Sequence, residues 1–430
     1  MTTESGHRSM VGPKNSSRFD VVVLGGGMAG LCAAAAATSS GAVTAVLEHA
    51  PVIGGSAALS HGTVWTVRDN EVLRAEDPGP LQSHGGTVVA GFVAAVGCLA
   101  RFGTALGDPV ETRSRRARRF DLPLTFLRMA QEVQRAGGAV YTSASVDEIT
   151  RDGAGFRIRM NGGADLLEGQ AIVFATGGRQ ADPAVRADLA GAAAVLRANQ
   201  YSDGGGITLA RSLGAEVNFA NRGFYGHLFP HGIAPLSGYD YRALALYHST
   251  HSVLLDRAGH RFTDETAGDP RNTIALAGRG GDGVLLWSAK VQARAESEPA
   301  PVDLAIDRWA YARDRGGQVA RAESAEDAGR VLRSWGFAEF ADSRSARDLG
   351  DGAVFLTRVA PAVTYTYGGI RATSRGEVLD SSGDVVPGLF AAGADMSDIY
   401  HEGYCGGLSA ATVTGMTAGM AAAALVSRPR

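Results

Sequence analysis

Phe19-Asp20-Val21-Val22-Val23-Leu24-Gly25-Gly26-Gly27-Met28-Ala29-Gly30 is the stretch that decides the fold. Its first six residues are mostly apolar and β-branched, and the alanine-rich run Leu31 to Thr38 behind it has high helix propensity. The segment reads as strand, tight turn and helix, with Gly25, Gly27 and Gly30 in the G-x-G-x-x-G places. Gly25 permits the sharp turn, Gly27 lets backbone approach a pyrophosphate, and Gly30 lets helix and strand pack closely. Met28 and Ala29 lie at the helix N-terminus, whose free N–H groups suit a phosphate charge.

A glycine pattern is weak evidence in a chain with 58 glycines, so its context matters. A second apolar strand, Ala42 to Leu47, ends in Glu48, placed to accept hydrogen bonds from the hydroxyls of an adenosine ribose. The unit predicts dinucleotide binding and leaves NAD and FAD both open.

The rest of the chain sets bounds. With 430 residues, 45% hydrophobic and 20% charged, it can bury a large core in two or three domains. A net charge of -3 gives no reason to expect nucleic acid or an anionic membrane as partner. The cluster Arg113, Arg115, Arg116, Arg118 and Arg119 is the local exception, read as a solvated face or loop between domains, or as a seat for an anionic substrate tail. Cys32, Cys98 and Cys405 are far apart, which points away from a disulfide framework and from a zinc or iron–sulfur site. Residues 1–18 are polar with no apolar core of a secretory signal, so a disordered tail and a cytoplasmic location are expected. Thr87 to Ala100 is apolar but too short to span a bilayer, and a buried helix is expected there. The small-residue run Ser409 to Val426 suits close packing of a helix against a sheet.

Three further segments favour FAD. Gly54-Gly55-Ser56 begins a small-residue loop able to run past a long cofactor. Ala171 to Ala175 is an apolar strand that opens into Thr176-Gly177-Gly178, and Gly388 to Asp395 repeats the pattern ahead of a helix from about Leu408. Three strand-to-glycine junctions at one sheet edge can hold one large cofactor at several points.

These residues resemble the FAD-binding flavoproteins of the fumarate reductase and succinate dehydrogenase type, a group that includes tricarballylate dehydrogenase and the 3-ketosteroid dehydrogenases. The resemblance covers Phe19 to Ser60, Tyr141 to Gly214 and Val253 to the C-terminus, through GGGMAG, GGSAALS, ATGG, TYTYGG, and GLFAAGAD with GYCGG. It implies an α/β fold: a Rossmann-like FAD-binding domain of the glutathione reductase type with an inserted α+β capping domain. The expected division is 19–220 for the first part, with a helical insertion at about 67–138, then 221–354 for the cap and 355–430 for the second part. It also implies that Glu48 holds the ribose, that Gly54 to Ser56 lie along the pyrophosphate and flavin, and that Val146 meets the adenine through its backbone. Asp395 would reach the ribityl chain, and Leu408 and Ser409 would start a helix aimed at the flavin pyrimidine. Some members attach FAD to a histidine where Ala57 stands here, so the cofactor is expected to be non-covalent. With one G-x-G-x-x-G and its acidic partner, electrons are expected to pass to or from an external carrier.

The segment from about Asn221 to Phe355 carries most of the histidines and aromatics, as a lid over a pocket would, and none of its histidines is singled out as catalytic. Glu265 and Arg271 resemble the family's RFxxE turn and nearby arginine. They are expected either to pair with each other or to leave Arg271 facing a substrate carboxylate or carbonyl. Fumarate reductases have a histidine about where Tyr365 stands and an arginine about where Tyr404 stands, so fumarate itself is a poor fit. Tyr404 before Gly406-Gly407 resembles the ketosteroid dehydrogenase arrangement. A phenol with an adjacent backbone N–H, that of Gly407, can polarise a substrate carbonyl and acidify the neighbouring C–H. The expected chemistry is dehydrogenation or reduction of a carbon–carbon bond next to a carbonyl or carboxylate, with hydride passing to or from flavin N5. Tyr404, Tyr365 and Arg271 are its candidate residues. A flavin oxidase of an amine or amino acid, and a flavin-binding protein without turnover, are the alternatives.

Overall fold

A computed structural model describes residues 18–79, 84–233, 235–297, 305–341 and 343–427. Most of the expected tail, residues 1–17, lies outside the described residues, while Arg18 already opens the first strand.

Five strands form the parallel heart of an eight-stranded sheet. In spatial order they are Val385–Ala391, Asp165–Phe174, Arg18–Leu24, Thr44–Leu47 and Ala139–Tyr141. The middle strands are apolar on both faces because both faces are covered; Val21, Val22, Val23, Ala171, Ile172 and Val173 have no exposed surface. Leu24 pairs with both Leu47 and Phe174, and Phe174 pairs with Ala391. This register ends four strands at one level, so Gly25, Glu48, Ala175 and Ala392 emerge side by side at the carboxyl edge. The first and last parts of the chain thus build one sheet, as the strand-to-glycine junctions predict.

Helix Met28–Ser39 follows the glycine turn and buries nine of its twelve residues. Helix Gly407–Val426 lies across it. Gly415 and Gly419, one turn apart, sit so close to the Ala29 and Ala33 carbonyls that a β-carbon at either would overlap them. The small residues of the C-terminal run therefore serve mainly helix-on-helix packing, where only packing against a sheet is expected from sequence. Helix Gly85–Phe102 is longer than the apolar run that announces it, and only one side is buried. Val88, Phe92, Ala95 and Leu99 face the core while Val93 is 69% exposed. This helix and Gly407–Val426 are both long and apolar enough to cross a membrane, and the second is mostly buried in the protein.

The insertion is not helical throughout. Between its helices, Arg115–Phe120 is the central strand of a three-stranded sheet and pairs with Thr63–Val67 on one side and Ala105–Glu111 on the other. The arginine cluster, expected as a loop or solvated face, is mostly a strand. A run of charges has no apolar alternation to read, and pairing with Thr63–Val67 supplies the order.

A second, six-stranded sheet covers the carboxyl edge of the first. Its centre is Val354–Thr366, which pairs with Phe224–Pro230, Gly283–Ser288, Val319–Ala322 and Val195–Leu196. The cap expected at 221–354 therefore has to be extended through Thr366 and to include 195–196. The long strand is almost entirely buried and cannot be divided at 354.

Under this sheet the His248 ring packs edge-on to Trp287, with ring centroids 4.5 Å apart, and its Nε2 is buried without a partner. Burial lowers its pKa from 6.5 to about 3. The folded protein therefore refuses a proton that the unfolded chain accepts below pH 6.5, so this contribution to stability is intact above 6.5 and is lost as pH falls toward 3. His248→Phe is expected to reduce the loss of unfolding free energy between pH 7 and pH 5 by about 2 kcal/mol. Urea titrations at the two pH values check this, and an unchanged loss would mean that His248 is not held neutral.

Candidate active site

A cavity of about 1210 Å³ runs between the carboxyl edge of the first sheet and the second sheet. At the sheet edge Gly25 has φ 102°, and a β-carbon on Gly30 would overlap the Gly25 carbonyl, so both glycines are set by geometry. Gly27, Met28 and Ala29 line the cavity at a helix start that no side chain caps. Glu48 is buried, and its two oxygens accept the Gly26 and Ala50 N–H groups, both at 2.7 Å. Burial raises its pKa against those two hydrogen bonds. Gly54 donates to the Gly26 carbonyl at 2.8 Å, bringing Gly55 and Ser56 to the wall, and Ser56 Oγ accepts the Asn199 N–H at 2.9 Å. Val146 lines the same end.

One expected cofactor contact is placed differently. Asp395 is fully buried and absent from the wall; its carboxylate accepts the N–H groups of Thr176 at 2.6 Å and Gly178 at 2.8 Å. It ties the loop after one strand to the loop after its neighbour, since unpaired N–H groups at positive-φ Gly177 and Gly178 need an acceptor. Thr176 and Gly177 face the cavity, and Gly178 lies behind them. Leu408 and Ser409 stand in the first turn of Gly407–Val426, as expected; Gly407 and Leu408 line the wall, and the Ser409 hydroxyl donates to the Trp65 and Gly406 carbonyls.

The far end is aromatic. Tyr404 stacks on Tyr225 with ring centroids 3.4 Å apart and planes 7° from parallel, and Trp65 meets it edge-on at 5.8 Å. The Tyr404 hydroxyl lies beside Gly407 at the uncapped, positive start of Gly407–Val426, so close that a β-carbon on Gly407 would overlap it. Burial nevertheless pushes that phenol up to about 12, so it stays protonated at neutral pH. Tyr365, 9% exposed, lines the cavity with a buried hydroxyl that has no partner. Burial raises its pKa too.

Sequence reasoning missed a connected set beside these phenols. The Tyr225 hydroxyl lies 2.8 Å from His227 Nε2, and His227 Nδ1 lies 2.5 Å from Asp269 Oδ2. A carboxylate only accepts, so Nδ1 carries the proton and Nε2 is free to accept from Tyr225. Burial, with the Arg197 charge, lowers the His227 pKa and keeps the ring neutral, while Asp269 opposes that shift. The available signal was alternation, which puts residues 225 and 227 on one face of a strand. Nothing local pointed to Asp269.

Arg271 is corrected in part. Glu265 pairs with Arg261, which reaches it through Nε at 2.9 Å and NH2 at 2.6 Å. Arg271 is exposed at the cavity mouth and donates to the Glu76 carbonyl at 3.0 Å. Arg115 is the cluster member on the wall, 4.6 Å over the Trp65 ring and 3.4 Å from the Glu76 carboxylate.

The cofactor end suits an extended dinucleotide. Glycines stand where β-carbons would overlap neighbouring backbone, an uncapped helix start faces the space, and a buried carboxylate lies at the end of the second strand. The sequence profile of the FAD binding domain family matches residues 20–91 and 81–409.

The chain belongs to the FAD binding domain family.

This FAD-binding protein is 23% identical to the fumarate reductase (cytochrome) of Shewanella frigidimarina over 442 residues, covering 90% of this chain and 74% of that protein. Over 56 residues, 13% of this chain and 10% of the relative, it is 54% identical to the 3-oxosteroid 1-dehydrogenase of Mycobacterium tuberculosis. Its fold is similar to that of 3-ketosteroid delta1-dehydrogenase from Sterolibacterium denitrificans, with a TM-score of 0.74 at 14% identity over 95% of this chain and 100% of that one. The expected kinship with fumarate reductase and ketosteroid dehydrogenase flavoproteins is met, and its cofactor is FAD.

Proposed function

We propose that this protein is an FAD-dependent oxidoreductase that dehydrogenates, or in the reverse direction saturates, a carbon–carbon bond next to a ketone. The observation that carries the reading is the protonated Tyr404 hydroxyl beside Gly407 on the cavity wall. Two donors at one oxygen position stabilise the charge that develops on a ketone as its neighbouring carbon loses a proton. The uncapped helix start behind Gly407 adds a positive partial charge there.

The proton has a route. Tyr225 takes it from the substrate carbon and passes its own to His227 Nε2, and Asp269 stabilises the imidazolium that results. Tyr365, with its hydroxyl unspent, is the second donor in the pocket. Bound FAD supplies the two-electron acceptor or donor for the adjacent carbon. Gly25, Gly27, Met28 and Ala29 would hold its pyrophosphate, Glu48 its ribose and Val146 its adenine. Each Glu48 oxygen already accepts one backbone N–H and keeps a lone pair for a ribose hydroxyl. Ala57 in place of the attaching histidine supports non-covalent binding.

The test is anaerobic titration of the holoenzyme with ketones, including a 3-ketosteroid, read as bleaching of the flavin band. Bleaching by a ketone, slowed about 100-fold in Asp269→Asn at neutral pH, is the expected result. Bleaching by an amine or amino acid instead would overturn the reading.

A further inference from the structure

Arg197 follows the short strand Val195–Leu196, and its backbone N–H donates to the Val363 carbonyl at 2.9 Å, which fixes it beside Val354–Thr366. Arg197 lies on the cavity wall. Nε and NH2 donate to the Tyr241 carbonyl at 2.9 and 2.6 Å, and NH1 donates to Thr364 Oγ1 at 3.1 Å. Three of five N–H groups are spent, and both acceptors are neutral.

Among the described residues no carboxylate lies within ion-pair distance of Arg197. Three arginines in and around the second sheet are neutralised: Arg261 by Glu265, Arg315 by Asp240, Arg358 by Asp282. A partly buried guanidinium with two free N–H groups and no counter-charge is stabilised by an anion that enters the cavity. Its surroundings fix where that anion would lie. The bonds of Arg197 to Tyr241 and to Thr364, the residue before Tyr365, place it beside the pocket phenols, and its charge acts on Tyr225, Tyr241, Tyr247 and Tyr404 against the effect of burial. Asp269, the nearby negative charge, is engaged by His227, the Leu228 N–H and Ser249. Arg271 and Arg115, at the mouth, are already engaged by Glu76.

We propose that Arg197 seats a carboxylate of the substrate, so that the ketone taken by this protein is a keto acid whose acid group lies a few bonds from the carbonyl held at Tyr404 and Gly407. This rests on the ketone reading above, which names no second group on the substrate. Arg rather than Lys suits the task, because a planar fork can give two parallel N–H groups to one carboxylate while its other edge stays tied to Tyr241.

The experiment compares 4-oxocyclohexanecarboxylate with its methyl ester, which differ in charge at one end, on FAD-loaded wild type, Arg197→Gln and Arg197→Lys. Dissociation constants come from perturbation of the flavin spectrum by the bound compound, and turnover from anaerobic bleaching. The wild type is expected to bind the acid on the order of 10- to 100-fold more tightly than the ester. Arg197→Gln is expected to bring the two within about threefold, and Arg197→Lys to keep part of the preference. Equal binding of acid and ester by the wild type overturns the proposal, even if both bleach the flavin and the ketone reading stands. Equal slowing of both compounds in Arg197→Gln with the preference intact also overturns it, and would make Arg197 a partner of the phenols. If the preference is seen and Arg197→Gln abolishes it but neither compound bleaches, the carboxylate seat stands and the ketone reading falls. If Arg197→Gln does not fold, the wild-type preference and its reduction in Arg197→Lys decide.

Discussion

Tyr404→Phe is expected to lower kcat/KM for a ketone substrate by about 100- to 1000-fold, the range found when one donor to a developing oxyanion is removed. The substitution keeps the ring, and with it the 3.4 Å stack on Tyr225 and the edge contacts with Trp65 and Tyr400. It deletes the hydroxyl alone and leaves the Gly407 N–H as the single donor. The loss should therefore fall on the chemical step and not on folding. Anaerobic rapid mixing separates the two, because the rate of flavin bleaching should fall while thermal stability moves by a degree or two. A rate within tenfold of wild type would mean that the carbonyl is polarised elsewhere, with Tyr365 the next candidate.

Gly25→Ala should remove the cofactor. A β-carbon there would overlap the Ala175 carbonyl at the end of the neighbouring parallel strand, and the backbone sits at φ 102°, a region costly for an L-residue. Relief requires the glycine turn or the end of the Asp165–Phe174 strand to move, and both line the cavity. Gly41→Ala is the matched control. Its φ is 91°, but nothing lies within 4 Å of the added carbon, so only backbone strain of about 1 kcal/mol applies. Gly25→Ala is expected to cost about 3 kcal/mol or more and to yield protein without flavin. Gly41→Ala and the wild type should release about one FAD per chain into the supernatant on acid precipitation, as a non-covalent cofactor does. A Gly25→Ala protein that keeps its flavin would show that the turn yields more easily than its contacts imply.

The cofactor end could be read largely in advance because its signals are local. A strand, a glycine turn and a helix start lie within a dozen residues, and Glu48 follows at the end of the next strand. Where the reading failed there, it failed on side-chain direction. Asp395 stands in the expected segment, yet it satisfies backbone groups and is absent from the cavity wall. At the aromatic end the cavity brings together Tyr404, Tyr365 and Gly407 of the residues singled out from sequence. Tyr225 and Tyr404 are stacked although 179 residues separate them in the chain, and His227 finds Asp269 across 42 residues. Glu265 had arginines on both sides in sequence, at 261 and 271, and which one paired with it depended on how the turn after Leu255 folds back.

The sequence by itself determined the dinucleotide-binding unit and the glycine junctions at the sheet edge, because glycine turns follow from short-range sterics and apolar pattern, and its motifs carried the resemblance that implied the family and FAD. Tertiary structure alone decided which charges meet. The pairing of His227 with Asp269, the choice of Arg261 over Arg271, and the lack of a counter-charge at Arg197 depend on distances between residues far apart along the chain. Electrostatic partnership is set by proximity in space, and neither composition nor periodicity encodes it.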